Sequence, residues 1–145
     1  MKTFKILSIN ISDKKGEKKI PIPEAVLIEN LGIEGDAHAG DWHRQVSLLA
    51  QEDINEMIKK GANVTCGDFA ENITTEGIDL ANLPIGTILN LGKVVLEVTQ
   101  IGKECHSHCA IFRQVGDCVM PRKGIFTRVI KGGKINNASN CYYDI

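Results

Sequence analysis

The chain has 145 residues, a net charge of −1, and apolar and charged fractions of 43% and 24%. This size predicts one domain over residues 1–145 with a core of its own, and the composition is ordinary for a soluble globular protein. A near-zero net charge argues against a general nucleic-acid or membrane-surface binder, which needs a large positive field, while leaving room for a local basic pocket. No apolar run approaches the roughly 18 residues of a membrane span. The start, from Met1 to Leu7, soon meets Asn10, Ser12 and Asp13, so it lacks a secretory signal's apolar core. The expectation is a cytoplasmic protein. Its five cysteines, an odd number, then read as reduced thiols rather than a disulfide framework.

In chain order, Phe4, Ile6, Ile9 and Ile11 lie in a β-prone run that predicts a first strand. Residues 14–19 read as a charged turn. Pro21 and Pro23 lead into an apolar run at 25–28, and prolines suit a strand entry or edge, where no ladder donor is needed. A glycine-rich loop covers 32–44, and a short strand is predicted at 46–49. Residues 51–60 predict a helix, because Ile54, Met57 and Ile58 fall on one face. Glu52 and Asp53 occupy its first turn, Lys59 and Lys60 its last, and Gly61 is placed to end it. Strands follow at 69–74, 87–91 and 94–101, the last two forming a hairpin that turns near Gly92. A further strand at 124–130 leads to a tight turn at Gly132 and Gly133, and 136–140 reads as polar loop. Many short strands, glycine turns and few helices point to a small barrel or related all-β fold.

Chemistry-bearing side chains concentrate in two places. Residues 103–109, Lys-Glu-Cys-His-Ser-His-Cys, hold two of the five cysteines and two of the four histidines. The other two histidines, His38 and His43, stand in the loop at 32–44. Thiolates and imidazoles gathered this way suggest metal or sulfur chemistry rather than packing. Cys105 follows the predicted 94–101 strand, and a strand end opening into a loop is where a rigid sheet presents a reactive group. Lys103, His106 and His108 suit stabilisation of a thiolate, the nucleophilic and metal-binding form. The competing reading makes Cys105 or Cys109 a small buried hydrophobe. A third is structural zinc, since two cysteines enclosing two histidines resemble half a zinc site. Cys66, Cys118 and Cys141 are each isolated, however, so no second paired cluster completes it.

Arg113, Arg122 and Lys123 flank the cysteine region. A guanidinium is a planar fork that fits phosphate or another oxyanion, and Gly124 lets an anion approach the backbone beside Lys123. Taken singly, each cation reads equally as a solvated surface charge. The loop at 32–41 is neither a Walker loop, lacking the lysine-hydroxyl ending, nor a dinucleotide fingerprint, since no helical pattern follows its glycines. Its carboxylates suit hydrogen-bonded turns and would resist phosphate unless countered by His38, His43 and Arg44. Trp42, the one tryptophan, reads as core packing or as the wall of a ring-binding pocket.

Together and in this order, several stretches resemble the MOSC domain, the molybdenum-cofactor-sulfurase C-terminal domain family. They are residues 32–40 (Gly-Ile-Glu-Gly-Asp-Ala-His-Ala-Gly), 44–49 (Arg-Gln-Val-Ser-Leu-Leu), 67–73 (Gly-Asp-Phe-Ala-Glu-Asn-Ile), 83–87 (Leu-Pro-Ile-Gly-Thr), 103–105 (Lys-Glu-Cys) and 124–129 (Gly-Ile-Phe-Thr-Arg-Val). The resemblance runs over nearly the whole chain. It implies a mainly β, barrel-like fold related to the barrel domain of pyruvate kinase, and a protein that binds molybdenum cofactor and carries sulfur as a cysteine persulfide. Cys105 looks like the family cysteine, with Cys109 and Cys118 as lesser candidates. Small stand-alone forms of this kind look like bacterial members linked to cofactor biosynthesis. The pyridoxal-dependent desulfurase domain of some relatives has no room in 145 residues, so pyridoxal phosphate is not expected on this chain. The tail from Asn136 lacks the glycine-aspartate turn expected before a final strand, so a short or absent closing strand is expected.

The leading expectation is therefore a molybdenum-cofactor-handling protein. Cys105 would be its reactive thiolate, and Cys105 and Cys109 its metal ligands. Arg44, Arg113, Arg122 and Lys123 would supply cations for the cofactor's phosphate, and His38 and His43 hydrogen bonds to the pterin or the metal's oxo groups. A cysteine desulfurase or a cofactor-biosynthesis protein would be its partner, with neither nucleic acid nor membrane involved. Two alternatives stand beside it. One is a reductase of N-hydroxylated compounds supplied with electrons by a partner, and the other a non-catalytic metal-binding module using Cys105, His106, His108 and Cys109.

Overall fold

The structure, a computed structural model, describes residues 1–15, 17–102 and 123–144. Its first strand shows how sequence parity is turned into a barrel wall. In β1 (Lys2–Ile11), Phe4 and Ile6 point inward at even positions, whereas Ile9 is the next fully buried aliphatic, at an odd one. A register shift against β6 (Ile73–Glu76) between Ile6 and Ser8 accounts for the change. One extra residue flips every later side chain to the other face, leaving Leu7 outside and returning Ile9 to the core.

Seven strands close on themselves. From β1, the ring passes through β11 (Cys141–Tyr143), β7 (Ile88–Leu91), β8 (Val94–Ile101), β9 (Ile125–Lys131), β5 (Val46–Ala50) and β6, and so back to β1. All neighbours in the ring are antiparallel except β5 and β6. A parallel pair needs a crossover, and here it runs through α1 (Gln51–Lys59). Closure removes the open sheet edges that invite aggregation. The short strand β2 (Ile20–Ile22), with Pro21 in it, pairs on the outside with the end of β1. A three-stranded sheet of β10 (Gly133–Asn136), β3 (Glu24–Ile28) and β4 (Gly32–Ile33) packs beside the ring.

β5 is buried at all five positions because it faces two apolar layers. Val46, Leu48 and Ala50 join the barrel core with Ile6, Ile73, Leu89, Leu96 and Ile125. Leu49 turns outward into a second cluster with Ile54, Met57, Ala62, Phe69 and Phe126, built under α1.

The expected helix, the hairpin at Gly92 and most expected strands are present. The closing strand, expected to be short or absent, is β11, only three residues long, and it completes the barrel. Three expectations need correction. Residues 69–72 are not strand; the ladder begins only at Ile73, because Gly67 and Ala70 take positive φ values of 89° and 62° and fold the backbone over. Gly132 and Gly133 do not form a tight turn. There the chain leaves β9 for β10 in the other sheet, and a Cβ on Gly132 would lie 2.5 Å from the Leu27 carbonyl oxygen. The charged turn expected over 14–19 does not extend to its last residue, since Lys19 is buried.

Ile73 is fully buried and Ile85 is 59% exposed. Ile73→Ala is expected to lower unfolding stability by about 2–5 kcal/mol through lost transfer energy and a residual cavity. Ile85→Ala should change it by less than about 0.5 kcal/mol, and urea unfolding of the two variants measures the difference.

Candidate functional site

Residues 34–44 connect β4 to β5, and a buried ion pair gives this loop its shape. Asp36 Oδ1 accepts from Lys19 Nζ at 2.7 Å, and neither side chain has any exposed surface. The same carboxylate accepts the Ser12 backbone N–H at 3.1 Å through Oδ1 and the His38 N–H at 3.1 Å through Oδ2. Lys19 Nζ also reaches Ser12 Oγ at 3.0 Å and His38 Nδ1 at 3.0 Å. All three ammonium protons thus have acceptors, the condition under which a buried charge is tolerated. Burial by itself would raise the Asp36 pKa, but the hydrogen bond and charge of Lys19 outweigh it and hold the carboxyl below its ordinary 3.8.

Trp42 stands half-buried at the loop's far end, its indole N–H donating to the His38 carbonyl at 2.8 Å. The His38 and Trp42 rings are parallel to within 4°, and the His43 ring meets Trp42 edge-on. Two cations lie over the indole, Lys15 Nζ at 4.5 Å and the Arg44 guanidinium at 5.9 Å from the centroid. Arg44 also covers Phe126, at 5.2 Å. Among the described residues, no carboxylate pairs with Lys15, His43 or Arg44. The nearby loop acid Asp41 is instead tied to Asn30.

The end of β8 fastens this loop to the barrel. The β8–β9 register shifts between Val98 and Gln100, a bulge that re-aims two consecutive side chains. Thr99 donates to the His43 carbonyl oxygen and also bridges to the Phe126 carbonyl at 3.1 Å. Gln100 Oε1 receives Arg44 Nε at 3.1 Å and lies 2.8 Å from His43 Nε2. Its amide nitrogen donates to the Gly102 carbonyl at 2.7 Å, and Gly102 N–H reaches the Gly124 carbonyl at 2.6 Å. His38, His43 and Arg44 are therefore gathered within one loop, beside the strand end from which residues 103–122 depart.

The other expected site residues are placed differently. Cys105, Cys109, Cys118, Arg113 and Arg122, with His106 and His108, lie outside the described residues. Lys123 precedes β9, and its charge acts on Asp53 at the start of α1, where burial raises the carboxyl's pKa despite that cation. Among the described residues no contact joins Lys123 to His38, His43 or Arg44. Cys141 is buried, with its thiol pushed up to about 11 by burial, so it is a packing residue. No group of three potential metal ligands occurs among the described residues. Lys15, Lys19, Thr99 and Gln100 escaped the reading of the sequence. Nothing in a run of lysines separates the buried one from its solvated neighbours.

The profile of the MOSC domain matches residues 34–139, most of the chain. The chain belongs to the MOSC domain family. That family is linked to molybdenum-cofactor binding and to sulfur-related or reductase roles. Solved structures share the MOSC barrel. YuaD from Bacillus subtilis superposes with a TM-score of 0.80 at 18% identity, covering 96% of this chain and 94% of that one. YiiM from Escherichia coli gives 0.71 at 18% identity, over 99% and 70% of the two chains. YiiM from Geobacillus stearothermophilus gives 0.71 at 19%, over 98% and 75%. At such identities the likeness is one of fold. No curated protein sequence matches the chain. No helix among the described residues is long and apolar enough to cross a membrane.

Within the MOSC barrel, a second polar network backs the loop. Asn72 Oδ1 accepts from the Ser47 N–H at 2.9 Å, and its amide donates to the Asn10 carbonyl at 3.2 Å. Its neighbour Glu71 is fully buried; Oε2 accepts from Gly67 N–H at 3.1 Å and Thr74 Oγ1 at 2.7 Å, while Oε1 has no hydrogen-bond partner among the described residues. Gly67 in turn accepts the Lys19 backbone N–H at 2.9 Å. A Cβ at Gly67 would sit 2.1 Å from the Lys19 carbonyl oxygen, so only glycine lets the two segments meet. Burial raises the Glu71 pKa above its ordinary 4.5 despite those two donors.

Two outcomes are expected in urea unfolding. Lys19→Met leaves the Asp36 carboxylate buried without its cation and should cost about 3–5 kcal/mol at neutral pH, whereas Lys19→Met/Asp36→Asn should cost clearly less. For Glu71 the folded pKa lies above the unfolded one, so its contribution to stability is fully present below pH 4.5 and is lost as the pH rises through the folded value. Glu71→Gln should therefore gain relative to wild type as the pH is raised from 4.5. A difference that does not change with pH contradicts this.

Proposed function

We propose that this MOSC domain binds molybdenum cofactor through the 34–44 loop and uses Cys105 as its sulfur-bearing ligand. The observation that carries the reading is the joint placement of Arg44 and His43 on Gln100, next to Trp42 and Lys15 and without a balancing carboxylate among the described residues. Unneutralised cations beside an aromatic plane fit an anionic, oxygen-rich heterocycle better than a bare metal ion. Arg44 and Lys15 would hold the phosphate, and His38 and His43 would meet polar edges of the pterin or oxo groups. Bound, the cofactor supplies a molybdenum centre that accepts soft sulfur ligands.

Cys105 follows Gly102 by three residues, a reach of at most about 11 Å. Its thiolate would either ligate the metal or take up sulfur. In the second case it attacks the terminal sulfur of a donor's persulfide, and the donor leaves as a thiolate. A cysteine desulfurase is the fitting donor.

Reconstitution with molybdenum cofactor tests the reading. Arg44→Ala should weaken binding about tenfold, the scale of one charged hydrogen bond. Cys105→Ala should abolish sulfur transfer or metal retention while the fold persists by circular dichroism. A Cys105→Ala protein that binds and transfers as well as wild type would overturn the proposal.

A further inference from the structure

We propose that Gln100 is a positioning residue: its side-chain oxygen holds Arg44 by Nε, so that the guanidinium turns its two Nη groups to a phosphate and grips it end-on. The inference deepens the cofactor reading and rests on it only for the identity of the molecule that carries the phosphate. The Gln100 amide is oriented by its surroundings. The Gly102 carbonyl, 2.7 Å away, can only accept, so the atom facing it is the amide nitrogen. The oxygen therefore faces the loop, 3.1 Å from Arg44 Nε and 2.8 Å from His43 Nε2. An amide oxygen has two lone pairs and no proton, so both neighbours donate to it, and His43 carries a proton on Nε2. One strand side chain thus ties two loop side chains to the backbone of Gly102.

The guanidinium is fixed from more than one side. Its Cζ lies 5.9 Å from the Trp42 ring centroid and 5.2 Å from that of Phe126, which is itself buried. Thr99, next to Gln100, meets the carbonyls of both His43 and Phe126 and so fixes the backbone on either side of Arg44. The register shift between Val98 and Gln100 is what gives two consecutive strand residues to the same loop. A guanidinium takes an oxyanion side-on, through Nε and one Nη, or end-on, through both Nη groups. Gln100 occupies Nε and closes the first mode. Among the described residues no hydrogen bond engages either Nη of Arg44, so the second mode is the one presented.

Nitrogen-15 NMR of the whole chain reads the Arg44 Nε–H directly, with Arg44→Lys identifying its signal. In wild type without ligand this proton should exchange slowly with water; exchange as fast as in an unstructured arginine removes the hydrogen bond and the proposal with it. Gln100→Leu should lose that protection and bind molybdenum cofactor about tenfold more weakly. Gln100→Glu is nearly isosteric and still accepts from Nε, so protection should return, while its negative charge beside the phosphate should keep binding weak. This split separates positioning from simple bracing of the strand, for which Glu would restore both properties or neither. Affinity equal to wild type in either variant contradicts the proposal. Inorganic phosphate is the second probe: it should shift the Arg44 Nη signals of wild type, and shift them less in both variants. A wild type that protects Nε and responds to phosphate, yet binds no molybdenum cofactor, upholds the role of Gln100 and defeats the cofactor reading.

Discussion

Lys19 and Asp36 meet at 2.7 Å with no exposed surface on either side chain, and the loop carrying His38, Trp42, His43 and Arg44 takes its shape from that contact. The cost of withdrawing two charges from water is offset only because each finds further partners: Ser12 and His38 for the ammonium, two backbone N–H groups for the carboxylate. Replacement by apolar side chains of the same volume would be compatible with a stable barrel. It would not hold a histidine and a backbone turn in one orientation. The pair is better understood as specifying the conformation of the site than as adding stability.

The barrel contributes a second constraint, from the opposite direction. A bulge near the end of β8 turns Thr99 and Gln100 toward the loop, so the loop is gripped from β1's continuation at Ser12 and Lys19 and from β8 at Gln100. Both grips depend on closure, because β1 and β8 are not neighbours in the ring. Only the intact cylinder sets them at a fixed separation. Glu71, Asn72 and Gly67 support the same region from behind. Buried Lys19, Asp36, Glu71 and Asn72 thus join in hydrogen-bonded networks behind the loop, while the aliphatic core fills the barrel itself.

Much of this was legible in the sequence. Alternation and turn residues located the strands 94–101 and 46–49, and the amphipathic spacing of Ile54, Met57 and Ile58 gave the helix almost to its ends. The MOSC motifs pointed to the loop at 32–44, and its His38, His43 and Arg44 do come together. What could not be read depends on long-range contact. The strand predicted from residue 69 begins only at Ile73, because the positive φ at Ala70 and the approach of Gly67 to Lys19 hold residues 69–72 out of the ladder. Lys19 looks like any other lysine of a charged run until Asp36, 17 residues later, is folded onto it. Gln100 is an unremarkable strand residue until a one-residue bulge aims it. The cysteine segment that drew the functional reading falls in residues 103–122, outside those described.

Native mass spectrometry of the protein isolated from its own host, without thiol reductants, tests most directly whether loop and cysteine serve one ligand. The account predicts a non-covalent pterin–molybdenum species in wild type, or a gain of about 32 Da, one sulfur atom, on the peptide holding Cys105. A protein that carries neither, with every cysteine an unmodified thiol and only adventitious zinc bound, would contradict it.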